Sequence, residues 1–272
     1  MKVCAVCVNF NNSDHTIEYI KSLLPFYDKY LNSIVIVDNN SNQDEVIKLN
    51  NFCSTIYFVK IIWNKTNIGY FPAINSGLEI LNVKDYDYII IGNNDLTFDK
   101  EFFVKLNLCN YSDEIFVIAP NIIRKDGIHQ NPHIAEKFTT LQNLYRRVYF
   151  TNYYVALLIS SIYNIMRGKL YPLDRVNNDI EHEILMGYGA CYILTKFFFK
   201  HYRFLDAPVF LMGEEGILAN QILEKNGKTI YNPSIIVYHH DHASIGKVGS
   251  KKLYEFSKQS YKYYRKYLRN LQ

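Results

Sequence analysis

The sequence predicts an α/β fold, a mostly parallel central sheet flanked by helices, and three observations carry that prediction. Near-continuous apolar runs of strand length recur through about the first hundred residues. Each is separated from the next by a stretch with helical patterning, and each ends on a cluster of polar side chains. Strands buried on both faces and joined by helices belong to parallel sheets, whereas half-solvated antiparallel strands alternate apolar and polar residues.

The elements follow in order. "KVCAVCVNF" (2–10) reads as the first strand, an amphipathic helix runs from about Ser13 to Leu31, and "SIVIVD" (33–38) is the second strand. A short helix from about Gln43 to Asn51 leads to the strand "TIYFVKII" (55–62), a helix from about Phe71 to Leu81, and the strand "YDYIIIG" (86–92). Further on, "PNIIRKDGIHQNPH" (120–133) reads as a hairpin-like segment with His129 and His133 near its polar edge. "NLYRRVYFTNYYVALLISSIYNIMRGK" (143–169) reads as helix, and "LMGYGACYILTK" (185–196) returns to a strand-like run.

With 272 residues, 49% hydrophobic and 21% charged, the chain has an ordinary globular composition, sufficient for one large domain or two intimate halves. A net charge of +4 is too mild for a dedicated nucleic-acid binder, so no nucleic acid is expected as a partner. Basic residues do concentrate in "KVGSKKLYEFSKQSYKYYRKYLR" (247–269), where the only acid is Glu255. This segment reads either as a solvated helix packing its aromatics on the body or as a helix lying on an anionic membrane surface. The five scattered cysteines point to a reducing compartment. Cys4 and Cys7 form a C-x-x-C, but strand residues three apart face opposite ways, so the pair reads as buried thiols. Met1 runs straight into a strand without a leader pattern, and "YYVALLISSIYNIM" (153–166) is shorter than the ~20 residues of a spanning helix. The expected location is cytoplasmic, with peripheral contact at the membrane's inner surface as the alternative.

In an open parallel sheet, ligands bind beyond the carboxyl ends of the strands, where strand order reverses. Those ends here are Asn9 and Asn11; Asp38, Asn39, Asn40 and Ser41; Asn64 and Asn67; and Asn93, Asn94 and Asp95. Turn and capping chemistry explains part of this, since Ser41 and Asp44 have capping-box spacing. Four strand ends converging on one edge predict a polar ligand pocket. There is no G-x-x-x-x-G-K-[ST] loop and no G-x-G-x-x-G after the first strand, which removes the usual support for an ATPase or a dinucleotide oxidoreductase. In their place, "NKTNIGYFPAINSGL" (64–78) sets Asn67 and Gly69 ahead of a helix carrying Asn75 and Gly77. Such a loop presents backbone N–H groups, side-chain amides and a helix N-terminus to a sugar nucleotide.

Taken together, "VNFNN", "IVIVDNNS", "NIGYFPAINSG", "IIIGNND", "FLMGEEGILANQILEKNG" and "YNPSIIVYHHDHAS" resemble a family 2 glycosyltransferase of the nucleotide-sugar transferase A fold. The motifs occur in the family's order over residues 2–245, in the branch of rhamnosyltransferases and other capsular or O-antigen polysaccharide enzymes. The resemblance implies a catalytic domain over 1–245, with a nucleotide-sugar half (about 1–98), an acceptor half (99–245) and a basic aromatic helical segment (246–272). It implies inverting transfer from a nucleoside-diphosphate sugar, UDP first and dTDP second, to a hydroxyl of a growing bacterial surface glycan or its lipid-linked precursor. By that analogy Asp38 holds the base, while Asn9, Asn11, Asn40, Asn67, Gly69, Asn75, Asn93 and Asn94 line the donor pocket. Gly187 and Gly189 let the backbone approach the donor sugar.

Charge grows on the leaving diphosphate, and Mn²⁺ or Mg²⁺ is the direct remedy. Asp95 is the expected ligand. Asn93 stands where the family has its first Asp, and supplies a neutral oxygen or reaches the sugar or ribose. With one formal charge left in "NND", the ion is expected to arrive with the nucleotide. His239 or His242 supplies an imidazole ligand, which suits Mn²⁺. Glu215 stands at the position of the general base, usually Asp, with Glu214 as the supporting acid; the longer side chain implies an acceptor slightly further from the helix start. Acids at a helix start are also favoured by its dipole. Arg146 and Arg147 either meet a lipid diphosphate or are solvated helix charges.

Two rival readings stand. A sugar nucleotidyltransferase shares the sheet and metal logic, but "VNFNNSDH" lacks its Gly-rich basic loop. A non-catalytic nucleotide- or glycan-binding module would not need a separate acidic pair. The oligomeric state stays open.

Overall fold

The computed structural model describes residues 1–136, 138–170, 179–240 and 250–265, with the side chains of 163–170 left aside. The first half runs β1 (Val3–Asn9), α1 (Ser13–Leu23), β2 (Leu31–Asp38), α2 (Gln43–Cys53), β3 (Val59–Trp63), α3 (Tyr70–Glu79) and β4 (Tyr88–Asn93). The rest runs β5 (Leu96–Phe98), α4 (Phe102–Leu108), β6 (Ile115–Arg124), α5 (Thr140–Tyr149), α6 (Tyr153–Leu170), β7 (His182–Ile184), β8 (Cys191–Thr195), α7 (Phe198–His201), α8 (Glu214–Glu224), β9 (Lys228–His239) and α9 (Ser250–Tyr264).

Among the described residues, the strands form one sheet in the order β3-β2-β1-β4-β8-β6-β9-β5, with β7 on β9. β1 pairs in parallel with β2 and β4, and β2 with β3. The chain therefore leaves β1 outward to β3 and returns through α3 to β4 on the other side. In such sheets that reversal marks the carboxyl ends of β1 and β4 as the place where a ligand is expected. The second half departs from the parallel pattern, because β8 inserts antiparallel between β4 and β6, and β5 and β7 pair antiparallel with β9.

Apolar side chains fill both faces. Val3, Ala5 and Cys7 of β1 join one core cluster with Tyr19, Ile20 and Phe102, and Cys4 and Val6 join the other with Phe71, Ile74 and Leu78. Cys4 and Cys7 thus lie on opposite sides of the sheet as free thiols, and burial pushes the Cys4 thiol up to about 12. β1 is a central strand with no solvent face, which is why its run is unbroken.

Several boundaries differ from the sequence reading. The first helix stops at Leu23 rather than Leu31, because Pro25 cannot donate to the helical ladder and starts a short 3₁₀ turn, Leu24–Phe26. The cap of α2 is Asn42, whose Oδ1 accepts from Glu45 N at 3.1 Å, whereas Ser41 Oγ accepts from Asn11 N at 2.8 Å. The single helix expected over 143–169 is two helices. Thr139 and Gln142 form a capping box that starts α5, and Asn152 Oδ1 accepts from Tyr154 N to start α6. Within 120–133 the hairpin forms, with Arg124 N donating to Ile128 O and Gln130 N to Ile122 O. Of the C-terminal basic segment, α9 packs Tyr254, Ser260, Tyr261 and Tyr264 against the body.

Candidate active site

The carboxyl edge of the parallel strands is wired by side-chain amides. Asn9 is fully buried and donates from Nδ2 to Asp38 Oδ2 at 2.7 Å, while its Oδ1 accepts from Thr16 Oγ1 at 2.8 Å and from Asn94 Nδ2 at 3.1 Å. Asp38 Oδ1 accepts the N–H of Ser41 at 2.9 Å, so both oxygens of this buried carboxylate are engaged inside the protein. Asn11 takes the N–H of Asn42 at 2.8 Å from a left-handed backbone, φ 52°. Asn40, also left-handed at φ 70°, projects into solvent.

A second knot centres on buried Asn39. Its Oδ1 accepts from Ile68 N and Asn64 Nδ2, both at 3.1 Å, and its Nδ2 donates to Asn67 Oδ1 at 2.9 Å and Gly69 O at 3.0 Å. Asn75 is spent on the backbone of Leu205, donating to its O at 2.8 Å and accepting from its N at 2.9 Å. Gly69 has φ 98°, and a Cβ there would meet Phe210 O at 2.3 Å, so this approach requires glycine. Phe210 O also accepts the N–H of Tyr70 at 3.0 Å, which takes the first donor of α3 away from any ligand at that terminus.

The polar knot after β4 divides three ways. Asn94 turns inward, donating to Thr16 Oγ1 at 2.8 Å and Asn12 O at 3.1 Å. Asn93 is half-exposed, and among the described residues its side chain makes no hydrogen bond. Asp95 points at β9, where His239 Nε2 lies 3.2 Å from its Oδ1; both side chains are buried. His239 Nδ1 is 2.7 Å from Gln130 Oε1. In the tautomer that donates Nδ1–H to Gln130, Nε2 carries the lone pair. A lone pair facing a carboxylate oxygen at that distance calls for a proton or a metal ion between them. The pair therefore fits a divalent ion that accepts both oxygen and imidazole nitrogen. Among the described residues no third His, Cys, Asp or Glu joins it. His242 lies outside the described residues.

The second acidic site starts α8. Gly213, at φ 82°, turns the chain into the helix, and Glu214 and Glu215 occupy its first turn. Glu214 is buried, and its Oε1 has no hydrogen-bond partner among the described residues. Burial first and the neighbouring Glu215 charge second push its carboxyl up to about 8, against the pull of the Glu214 and Met212 backbone N–H groups. Glu215 is half-buried, and its Oε1 accepts from Gly189 N at 3.3 Å. A Cβ on Gly189 would sit 2.7 Å from that oxygen, so glycine makes room for the carboxylate.

Residues invisible to motif reading join the two acidic sites. Tyr188, the neighbour of Gly189, places its ring 6.3 Å from that of His239 and 5.5 Å from that of His133, centroid to centroid. Asn131 fixes this segment by accepting Tyr188 N at 2.7 Å and donating to Pro120 O at 2.8 Å. Tyr70 donates to Gly189 O at 3.1 Å. Burial lowers the His133 pKa, opposed by the charge of Glu215 and assisted by that of Arg146. Arg146 stacks over Phe138 at 3.5 Å, whereas Arg147 is exposed. His129 is held aside by Asn121 at 2.7 Å. Phe10 and Trp63, exposed at the ends of β1 and β3, are further aromatic surface at this sheet edge; the signal for both was an aromatic beside a strand-end amide.

A model of glycosyl transferase family 2 matches residues 4–174. No curated protein sequence matches the chain significantly. Among solved structures, the fold resembles GalNAc-T7, crystallised with UDP, GalNAc and Mn²⁺, at TM-score 0.59 and 15% identity, over 90% of this chain and 44% of that one. It also resembles S. aureus TarS 1-349 in complex with UDP-GlcNAc, at TM-score 0.59 and 12% identity, over 94% of this chain and 64% of that one. A further structure of S. aureus TarS matches at TM-score 0.56 and 13% identity, over 88% of this chain and 37% of that one. The chain spans less than two thirds of each of these proteins, and at such identities the likeness is one of fold.

Proposed function

The chain belongs to glycosyl transferase family 2 and is a glycosyltransferase, and from that premise we propose that it transfers a sugar from a nucleoside diphosphate to an acceptor hydroxyl with inversion. UDP is the first choice of nucleotide and dTDP the second. The observation that carries the reading is the bridge Tyr188–Gly189, which contacts Glu215 through the Gly189 N–H and faces the ring of His239. One short segment thus joins a carboxylate able to take a proton to a carboxylate–imidazole pair able to hold a metal.

Asp95 and His239 would hold Mn²⁺ or Mg²⁺, whose chemistry when bound is to neutralise the charge that grows on the departing diphosphate. Glu215 takes the proton of the acceptor hydroxyl, and attack from the face opposite the diphosphate inverts the anomeric carbon. Glu214, kept protonated below about pH 8, sits beside the base without adding a second negative charge. Asn9, Asp38, Asn39, Asn67 and Asn75 are positioning residues, because their polar atoms are committed to one another and to the backbone. Direct contact with the donor falls to Asn93, Asn40 and exposed loop backbone. Within the domain over 1–245, residues 1–98 serve the donor and 99–245 the acceptor, a growing bacterial capsule or O-antigen glycan or its lipid-linked precursor. The proposed location is the cytoplasm, at the inner face of the membrane.

The test is a screen of labelled nucleoside-diphosphate sugars with Mn²⁺, reading hydrolysis and transfer. Release of UDP or dTDP from one donor supports the reading. Formation of a sugar nucleotide from a nucleoside triphosphate and a sugar phosphate would identify a nucleotidyltransferase, and binding without turnover of any donor a non-catalytic module.

A further inference from the structure

Two neighbouring helices carry their apolar stripes outward. On α5, Leu141, Leu144 and Val148 recur at helical spacing and are all exposed, Leu141 to 76%, while none of the helix's residues is buried. The side toward the body carries Asn143, bonded to Phe138 O, and Arg146, stacked on Phe138. On α6, Tyr154, Leu158 and Ile162 form a second exposed stripe, Leu158 to 62%, and Ala156 behind it is buried. The two helices are in contact, joined by residues 150–152. An amphipathic helix ordinarily turns its apolar stripe to the core, and a large exposed apolar patch marks an interaction surface.

Charge selects the partner. Residues 140–170 contain four basic residues and no acid. Alongside lies α9, tied on by Tyr254 Oη to Tyr149 O at 3.2 Å and by Lys258 Nζ to Thr151 O at 2.6 Å. Residues 250–265 add five basic residues against the single acid Glu255, and Lys251, Lys252, Lys262 and Arg265 are exposed. By sequence the remainder of the chain is net acidic, and among the described residues Arg147 joins these lysines and Arg265 as an exposed cation on the three helices. A second copy docking by the same face would set these cations against each other. An anionic bilayer pairs with them and takes up the apolar stripes at once. Among the described residues no helix is long and apolar enough to cross a membrane, so such a helix pair would lie in the interface.

We propose that α5, α6 and α9 form a docking face for an anionic lipid surface, with the α5 and α6 stripes at the headgroup boundary and Arg147, Lys251 and Lys252 on lipid phosphates. The face adjoins the acidic pair, since Tyr264 of α9 packs against Gly216 in the first turns of α8. It would thus hold the cleft at the membrane for a lipid-linked acceptor. That purpose rests on the proposed function; docking itself needs neither donor nor acceptor.

The experiment is flotation of the full chain with phosphatidylcholine vesicles and with vesicles containing phosphatidylglycerol, donor and acceptor omitted. Binding to the anionic vesicles alone is expected, falling at least tenfold in Leu144→Ser/Leu158→Ser and about fivefold for each cation removed in Lys251→Gln/Lys252→Gln. Unchanged melting and donor hydrolysis in these variants show that fold and site are intact. The proposal is overturned if the wild type ignores anionic vesicles, if both variants bind as it does, or if light scattering shows a dimer that the leucine substitutions dissociate. Vesicle binding by a chain that turns over no donor would sink the proposed function and leave the docking face standing.

Discussion

At the ends of β1 and β2, Asn9, Asp38, Thr16 and Asn94 satisfy one another inside the protein, whereas at the start of α8 Glu214 is buried with Oε1 lacking a partner among the described residues. The first region uses polar groups as framework. Each amide accepts and donates at once and Asp38 accepts at both oxygens, so the network under the sheet edge is satisfied without solvent and its side chains are held in place. The second stores an unfavourable carboxyl beside the proposed base Glu215, and its cost appears as a raised pKa. Polarity at a strand end therefore does not by itself identify chemistry. Chemistry goes with the groups whose hydrogen-bonding capacity the fold leaves incomplete, and framework with those it completes.

Four substitutions sharpen this contrast. Glu215→Gln is expected to lower transfer by roughly 10²–10⁴, the usual contribution of a general base, while calorimetry still shows donor binding; normal turnover would remove Glu215 from the base role. Asn9→Ala should act on stability, since it orphans Asp38 and Thr16 in a buried network; a loss of about 1–3 kcal/mol per orphaned group is expected in urea denaturation. An unchanged midpoint would mean the amide network is not framework.

Gln130→Leu should weaken nucleotide-dependent Mn²⁺ binding by roughly tenfold, because it frees the tautomer and orientation of His239. Titrating Mn²⁺ with and without UDP checks this, and also tests the expectation that the single carboxylate Asp95 binds the ion only with its nucleotide. Micromolar binding to the apo protein would contradict that expectation.

The smallest effect concerns pH. Because the folded-state pKa of Glu214, about 8, lies above the ordinary 4.5, the folded protein holds a proton that the unfolded chain releases, and stability falls as pH rises through that window. Glu214→Gln removes this titration. Its melting temperature should exceed that of the wild type by several degrees at pH 9, and by less at pH 5. Equal gains at both pH values would refute the buried carboxyl.

How much was legible follows the range of the interactions. Asn9, Asp38 and Asp95 were readable because each ends or closely follows an apolar strand, and strand ends in such a sheet converge by construction. The nearness of Asp95 to His239 was expected from the family resemblance, whereas the inward turn of Asn94 was not legible, since it depends on Asn12 and Thr16, which lie far back in the sequence. Gln130, Asn131 and Tyr188 carried no motif at all. Their importance comes from contacts with Pro120, His239 and the Gly189 segment that only folding creates.

The helices make the same point in reverse. The sequence announced helix over 143–169 with an apolar stretch at 153–166, but such a pattern does not say whether the apolar side chains face the core. By itself the sequence determined the alternation of strands and helices, the edge at which polar residues gather and the pair of acids at a helix start, because those are local patterns of side-chain chemistry. The tertiary structure alone decided which polar groups are wired shut, which remain available and which way each stripe points. Hydrogen-bond satisfaction and burial depend on partners distant in sequence, and no local pattern encodes where those partners will be.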